Sequence, residues 1–330
     1  MKPVIAISCY QRPEFLYYTL QSYLANPEIG NFDIFFFPDH GYDPDTLEVI
    51  NRFEGQANPL GVDVDVFPMK HRKNKQLASY NIMTSYSTSL QHSDAPYLII
   101  GEEDTPVSND FLRFNTYCHD NFLAKYPRIF CVAHKRRHGV HLPGDPSLLI
   151  GDPQCTSPTC ITREAVEKYM EPVMAMPGYF EDPARFFSQH YPNSRIKGYH
   201  NHIDHDGAIE RIIEANDLYA IKPDHARTNH IGFVGGHIKD NRYLGHKLEG
   251  DLDDKIRQLG MILHHGLDTM KAYATHVPQH EKKDWVGITY ADVNCQWDKL
   301  ELDLDRNRVK SSESFYDESN TFKAYIESIK

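Results

Sequence analysis

Cysteine is scarce in this chain, six in 330 residues, at spacings that make no disulfide framework. Cys155 and Cys160 are close in sequence but match no common metal knuckle, so free thiols and a reducing compartment are expected. Positive charge is short as well. The formal net charge of −11 argues against a surface built to coat nucleic acid. Long apolar runs are missing: nothing approaches the roughly 20 residues of a membrane-spanning helix. The start, Met1 to Ser8, lacks the apolar core of a signal peptide. A cytoplasmic protein with no membrane partner is the expectation. There is no internal repeat and no low-complexity tract. What is present is an ordinary globular composition, 40% hydrophobic and 25% charged, long enough for one large domain or two smaller ones.

One stretch organises the rest: Tyr97-Leu98-Ile99-Ile100-Gly101-Glu102-Glu103-Asp104-Thr105-Pro106. It opens as the short apolar run of a buried strand and closes on three acids. Pro106 forbids a continuing central strand, and Ser108, Asn109 or Asp110 can cap a following helix. Three carboxylates therefore stand at the carboxyl end of an inner strand, the edge where open α/β sheets bind ligands. Adjacent carboxylates repel, so a solvated loop or a bound cation is needed to keep all three ionised. Hard oxygens suit Mg²⁺ or Mn²⁺, ions that usually arrive with substrate phosphates. The plainer alternative is an acidic turn that only caps the helix.

Elsewhere in the first half, strand and helix alternate at short spacing. Strands are predicted at Val4 to Ser8, Asp33 to Phe37, Val62 to Phe67 and Ile129 to Ala133. Helices are predicted at 14–25, 43–53, 75–90 and 109–125. This is an α/β pattern with a largely parallel sheet. Residues 139–158 read as a long loop. Helices at 163–170, 207–216 and 251–274 and a strand at Leu218 to Ile221 follow.

Two further strand ends join the acidic one. The first is Ser8-Cys9-Tyr10-Gln11-Arg12-Pro13, the second Pro38-Asp39-His40-Gly41. In a parallel sheet all three share one edge. Together they could hold a base and ribose through Asp39 and the Ser8–Tyr10 turn, a diphosphate through Arg12 and a cation, and the cation itself.

These segments resemble the GT-A fold glycosyltransferases, and within them the inverting N-acetylglucosaminyltransferase I type. The match covers roughly residues 3 to 235. That resemblance implies a mixed sheet flanked by helices over 1–235, with a mainly helical extension over 236–330. It implies a metal-dependent inverting transfer from a nucleotide-sugar, best a UDP-sugar, to an acceptor hydroxyl of a glycan or protein. A hydroxylated base in DNA is the weaker alternative. The family's metal-binding acid falls on Asp104, its uracil-contacting acid on Asp39, and its sugar-contacting acid on Glu103, beside Glu102. The family's catalytic base, an aspartate at a helix start, falls on Asp206 in His205-Asp206-Gly207. A second metal ligand falls on His230 in Thr228-Asn229-His230-Ile231-Gly232. The family's basic nucleotide contact on the third helix has no plain match, and Arg72 or Lys75 can stand in for it.

Three features compete or add. His200-Asn201-His202-Ile203-Asp204-His205 fits the H-x-H-x-D-H pattern of binuclear zinc hydrolases of the metallo-β-lactamase type, although Asn193 to Tyr199 before it makes a poor buried strand. A nucleotide-sugar-binding protein without catalysis is a further alternative. Finally, His134 to His138 follows the fifth strand, a place from which it can face the acceptor, and there it would suit an anionic one.

Overall fold

Apolar runs alternating with amphipathic helices can bury both faces only as strands covered by helices. The computed structural model describes residues 1–69, 77–134, 140–142, 145–151, 158–192, 205–216, 218–223, 227–228, 231 and 248–265. Its strands are β1 (Val4–Cys9), β2 (Asp33–Pro38), β3 (Val64–Val66), β4 (Tyr97–Glu102), β5 (Ile129–Ala133), β6 (Val140–Leu142), β7 (Asp145–Gly151), β8 (Thr159–Thr162) and β9 (Tyr219–Pro223). They form one sheet in the order β3-β2-β1-β4-β8-β5-β9-β7-β6. Its helices are α1 (Pro13–Leu24), α2 (Pro44–Ala57), α3 (Leu77–Gln91), α4 (Phe111–Cys118), α5 (Arg163–Ala165), α6 (Glu171–Met174), α7 (Pro183–His190), α8 (His205–Ala215) and α9 (Leu252–His265).

The strands alternate faces with period two. Ile5, Ile7, Ile34, Phe36 and Ile99 meet Leu16 and Leu20 of α1, Ile50 and Phe53 of α2, and Phe111 and Phe114 of α4. Val4, Ala6, Phe35, Phe37, Leu98 and Ile100 meet Ile82 and Tyr86 of α3 and Ile209 and Ile212 of α8 on the other face. Helix α9 packs on α1: Leu252 joins that first core cluster, and Tyr18 Oη donates to Ile256 O at 3.0 Å.

The sheet as a whole is mixed, as the resemblance implies, while the first-half strands β1 to β5 share one direction, the parallel arrangement expected of that half. β1, β2, β3 and β4 are parallel, but β8 lies antiparallel between β4 and β5. Thr159-Cys160-Ile161-Thr162 is too short to announce a strand in sequence; β4 and β5 supply its pairing. The stretch read as a loop over 139–158 contains β6 and β7, which pair with each other, and β7 also pairs with β9. The Pro and Gly around these strands hide them from a local reading. Helix α7 was also not foreseen; the Asp182 side chain caps it by accepting from Arg185 N at 3.0 Å. The helix expected from residue 109 begins at Phe111 and widens into a π-type turn over His119–Leu123.

Because β1 leads through α1 to β2 on one side, while α3 returns the chain to β4 on the other, the connections diverge between β1 and β4. Such a divergence is where open α/β sheets form a ligand-binding crevice at the carboxyl edge. Polar side chains on α1 and just beyond its end fix the segment that follows β4. Thr19 Oγ1 donates to Glu103 O at 2.8 Å. Ser22 Oγ accepts from Val107 N at 2.9 Å. Asn26 Nδ2 donates to Ser108 O at 3.0 Å, and Asn26 Oδ1 accepts from Leu112 N at 3.0 Å. All three side chains are buried. Asn26→Ala leaves that carbonyl and amide without their side-chain partner. It is expected to cost about 2–3 kcal/mol in urea denaturation, with an unchanged m-value.

Candidate active site

The end of β1 is gripped from both sides. Cys9 O accepts from Asp39 N at 2.8 Å, and Ser8 O accepts from Glu103 N at 3.1 Å. Tyr10 N donates to Glu103 Oε2. Tyr10 O accepts from Asp43 N at 3.1 Å and from Thr46 Oγ1 at 3.3 Å. These bonds set Asp39, Tyr10 and Glu103 around the mouth of the β1–β4 crevice. The Cys9 thiol itself turns into the core, and burial, with the charges of Glu103 and Asp39 adding, pushes its pKa well above the ordinary range. It is a packing thiol and not a nucleophile. Ser8 is buried too, so the Ser8–Tyr10 turn presents chiefly the Tyr10 ring, which is 40% exposed.

Asp39 is buried at the end of β2, and its Oδ1 accepts from His40 N at 2.7 Å. Tyr42 N closes the turn on Asp39 O at 3.0 Å. Gly41 adopts φ +79°, a conformation costly for other residues, and Gln11 Nε2 ties its carbonyl at 3.0 Å. The Asp39 carboxylate is thus pre-set at the edge.

The acidic triplet separates into two environments. Glu103 and Asp104 are buried. Arg12 spans them, with Nε 2.6 Å from Glu103 Oε1 and Nη1 2.8 Å from Asp104 Oδ2. Burial alone would lower the Arg12 pKa; Asp104 and Glu103 more than reverse this, so Arg12 is a permanent cation. Burial raises Glu103 from 4.5 to about 7, against the lowering pull of Arg12 and the Tyr10 amide. Glu102 differs. Its side chain is 28% exposed and points to the start of α8.

There His205 Nε2 stands 3.9 Å from Glu102 Oε1 and 3.1 Å from Asp206 Oδ1. Asp206 lies in the first helical turn, where the helix dipole favours a carboxylate. The chain then returns across the edge at 227–231. Val107 bridges to Thr228, Thr228 Oγ1 donates to Pro106 O at 3.0 Å, and Ile231 N donates to Asp104 O at 2.9 Å. Asp110, at the N-cap position of α4, makes no side-chain cap bond. Its carboxylate instead pairs with Arg227 Nε at 2.9 Å. None of the three acids caps α4, the helix that follows them.

Ser8, Cys9, Tyr10, Arg12, Asp39, Glu102, Glu103, Asp104 and Asp206 therefore come from four elements to one edge. Arg72, Lys75 and His230 lie outside the described residues, as do His200, His202 and Asp204 of the zinc-type pattern. His205, the last member of that pattern, opens α8. Among the described residues no group of three or more metal-binding side chains occurs, and no helix is long and apolar enough to cross a membrane.

One expectation is corrected. His134, the first residue of the run 134–138, does not face an acceptor: it is fully buried against Phe111 and Phe114, while 135–138 lie outside the described residues. Burial and the neighbouring Arg227 lower its pKa to about 3, so it is neutral. A histidine at a strand end reads as exposed in sequence; the aromatic side chains of α4 enclose this one.

No family model matches the chain, and no curated protein matches it in sequence. Several solved structures of similar outline are glycosyltransferases. A mannosyltransferase from Pyrobaculum calidifontis, solved with GDP-Man and Mn²⁺, aligns over 99% of this chain and 79% of its own at 11% identity and a TM-score of 0.46. S. aureus TarS 1-349 with UDP-GlcNAc aligns over 94% and 88%, at 11% identity and 0.46. The galactosyltransferase LgtC, with donor and acceptor sugar analogues, aligns over 66% and 72%, at 8% identity and 0.40. Likeness at these values is one of outline and assigns no activity.

The raised pKa of Glu103 has a measurable sign. Between pH 4.5 and about 7 the folded chain keeps a proton on Glu103 that the unfolded chain releases, so this group lowers stability as pH rises through that window. Urea denaturation at about pH 5 and about pH 7.5 is expected to give a loss on the order of 1–3 kcal/mol across the window, largely flattened in Glu103→Gln.

Proposed function

We propose that this chain is a GT-A glycosyltransferase that moves a sugar from a nucleotide-sugar donor, best a UDP-sugar, to an acceptor hydroxyl with inversion. The observation that carries the reading is the gathering of Asp39, Arg12, the Glu102–Asp104 triplet and Asp206 at the β1–β4 divergence. Each part suits one part of such a donor. Asp39, held by the His40 amide, accepts hydrogen bonds from the base or ribose. The exposed Tyr10 ring flanks the same turn. The Arg12 guanidinium matches a diphosphate in a two-pronged contact. Glu102 and Glu103 are the proposed contacts to the sugar.

Asp206 is the proposed base. It takes the proton from the acceptor oxygen as that oxygen attacks the anomeric carbon and the nucleoside diphosphate departs. One in-line displacement of this kind inverts the anomeric centre. The helix start and the adjacent His205 hold the carboxylate toward the edge. The acceptor class proposed is a glycan or protein hydroxyl.

The donor chemistry fits a divalent Mn²⁺ or Mg²⁺ in part. Asp104 supplies a hard oxygen ligand, and His230 is the proposed second protein ligand. Such ions take their remaining ligands from water and substrate phosphates. When bound, the ion would offset the charge of the departing diphosphate.

The decisive measurement is calorimetric titration with UDP, with and without Mn²⁺, followed by turnover of a panel of UDP-sugars. Asp39→Ala is expected to weaken UDP at least about tenfold. Asp206→Ala should leave UDP affinity intact and lower sugar transfer by about 10²–10⁴-fold. Near-full turnover in Asp206→Ala would remove the base assignment. An absence of nucleotide binding would remove the glycosyltransferase reading.

A further inference from the structure

Arg12 holds an oxygen of Asp104, the side chain proposed as a ligand of the cation. Its Nη1 lies 2.8 Å from Asp104 Oδ2, and Asp104 is only 1% exposed. Arg12 is not part of the helix that follows it. It sits at the N-cap of α1 with φ −131° and ψ 62°, directly before Pro13, and its side chain is 23% exposed at the crevice mouth. The guanidinium also lies 5.7 Å over the Phe15 ring. One face of Arg12 thus meets buried acids while another reaches the opening where a donor enters.

We propose that Arg12 and the divalent cation compete for Asp104, and that the diphosphate of the donor resolves the competition by drawing Arg12 onto itself. This rests on the nucleotide-sugar reading for the identity of the diphosphate, but not for the competition itself. The physical argument is charge. A dication at Asp104 would touch a guanidinium that cannot lose its proton, and like charges a few Å apart in a partly buried site oppose each other strongly. A diphosphate brings its own negative charge and the oxygen pairs that a guanidinium fork prefers to a single carboxylate oxygen. With Arg12 turned to the phosphates, Asp104 regains a ligand position, and the same phosphates complete the ion's shell. The metal site is therefore closed in the donor-free protein and opens only with nucleotide present.

The test is a Mn²⁺ titration of the full chain, followed by the loss of the free-ion signal in electron paramagnetic resonance, with and without UDP. It uses wild type, Arg12→Gln, Asp104→Asn and the double variant, each checked by a thermal melt. Wild type is expected to bind Mn²⁺ alone at least about tenfold more weakly than with UDP. Arg12→Gln should bind Mn²⁺ alone at least about tenfold more tightly than wild type, and the double variant should lose that gain. Two results overturn the proposal. One is tight Mn²⁺ binding by wild type without nucleotide that Asp104→Asn abolishes; this stands whether or not the Arg12 variant folds. The other is a folded Arg12→Gln whose Mn²⁺ affinity equals that of wild type. If no protein binds UDP but Arg12→Gln still gains Mn²⁺ through Asp104, the competition holds and the glycosyltransferase reading falls.

Discussion

The burial of Glu103 and Asp104 at a sheet edge is the constraint to which the surrounding structure answers. Two carboxylates removed from water need compensation, and three elements supply it. Arg12, at the exit of β1, brings the positive charge. The Tyr10 amide donates to Glu103, and Ile231 N and Thr19 Oγ1 fix the backbone carbonyls of Asp104 and Glu103. The same arrangement leaves Glu102 turned the other way, toward α8, so one short run of acids serves both sides of the sheet.

Part of this was legible in the sequence. The apolar runs at Val4, Asp33, Tyr97 and Ile129 mark strands because their burial requires no more than local β-forming residues. Their ends carry Arg12, Asp39 and the acidic triplet, and parallel pairing alone then brings these to one edge. Less visible were features that exist only through a partner. β8 is four residues long and is a strand because β4 and β5 flank it. Thr19 and Ser22 lie on the buried side of α1, and Asn26 follows just after its end. Their role is to satisfy the backbone of 103–112, which no count of hydrophobicity reveals.

Arg12 illustrates the limit most clearly. A basic residue in a turn beside a nucleotide-type strand reads as a phosphate ligand. Ninety-one residues separate it from Glu103, and only the β1–β4 pairing makes them neighbours. His134 carries the opposite lesson, since proximity to a basic run suggested exposure while the aromatic rings of α4 enclose it. In both cases local chemistry was read correctly as polar, and the tertiary partner decided what the polarity does.

The insertion of β8 has a mechanical consequence. By pairing with β4 on one side and β5 on the other, this strand joins the β1–β2–β4 half and the β5–β9 half into one uninterrupted hydrogen-bonded sheet. Two lobes rotating about a hinge would have to break that ladder. A change of shape around any ligand at this edge is therefore confined to segments outside the strands, while the distances among the residues rooted in the strands stay fixed. The frame behaves as an anvil, and substitutions outside the strands can accumulate without disturbing it.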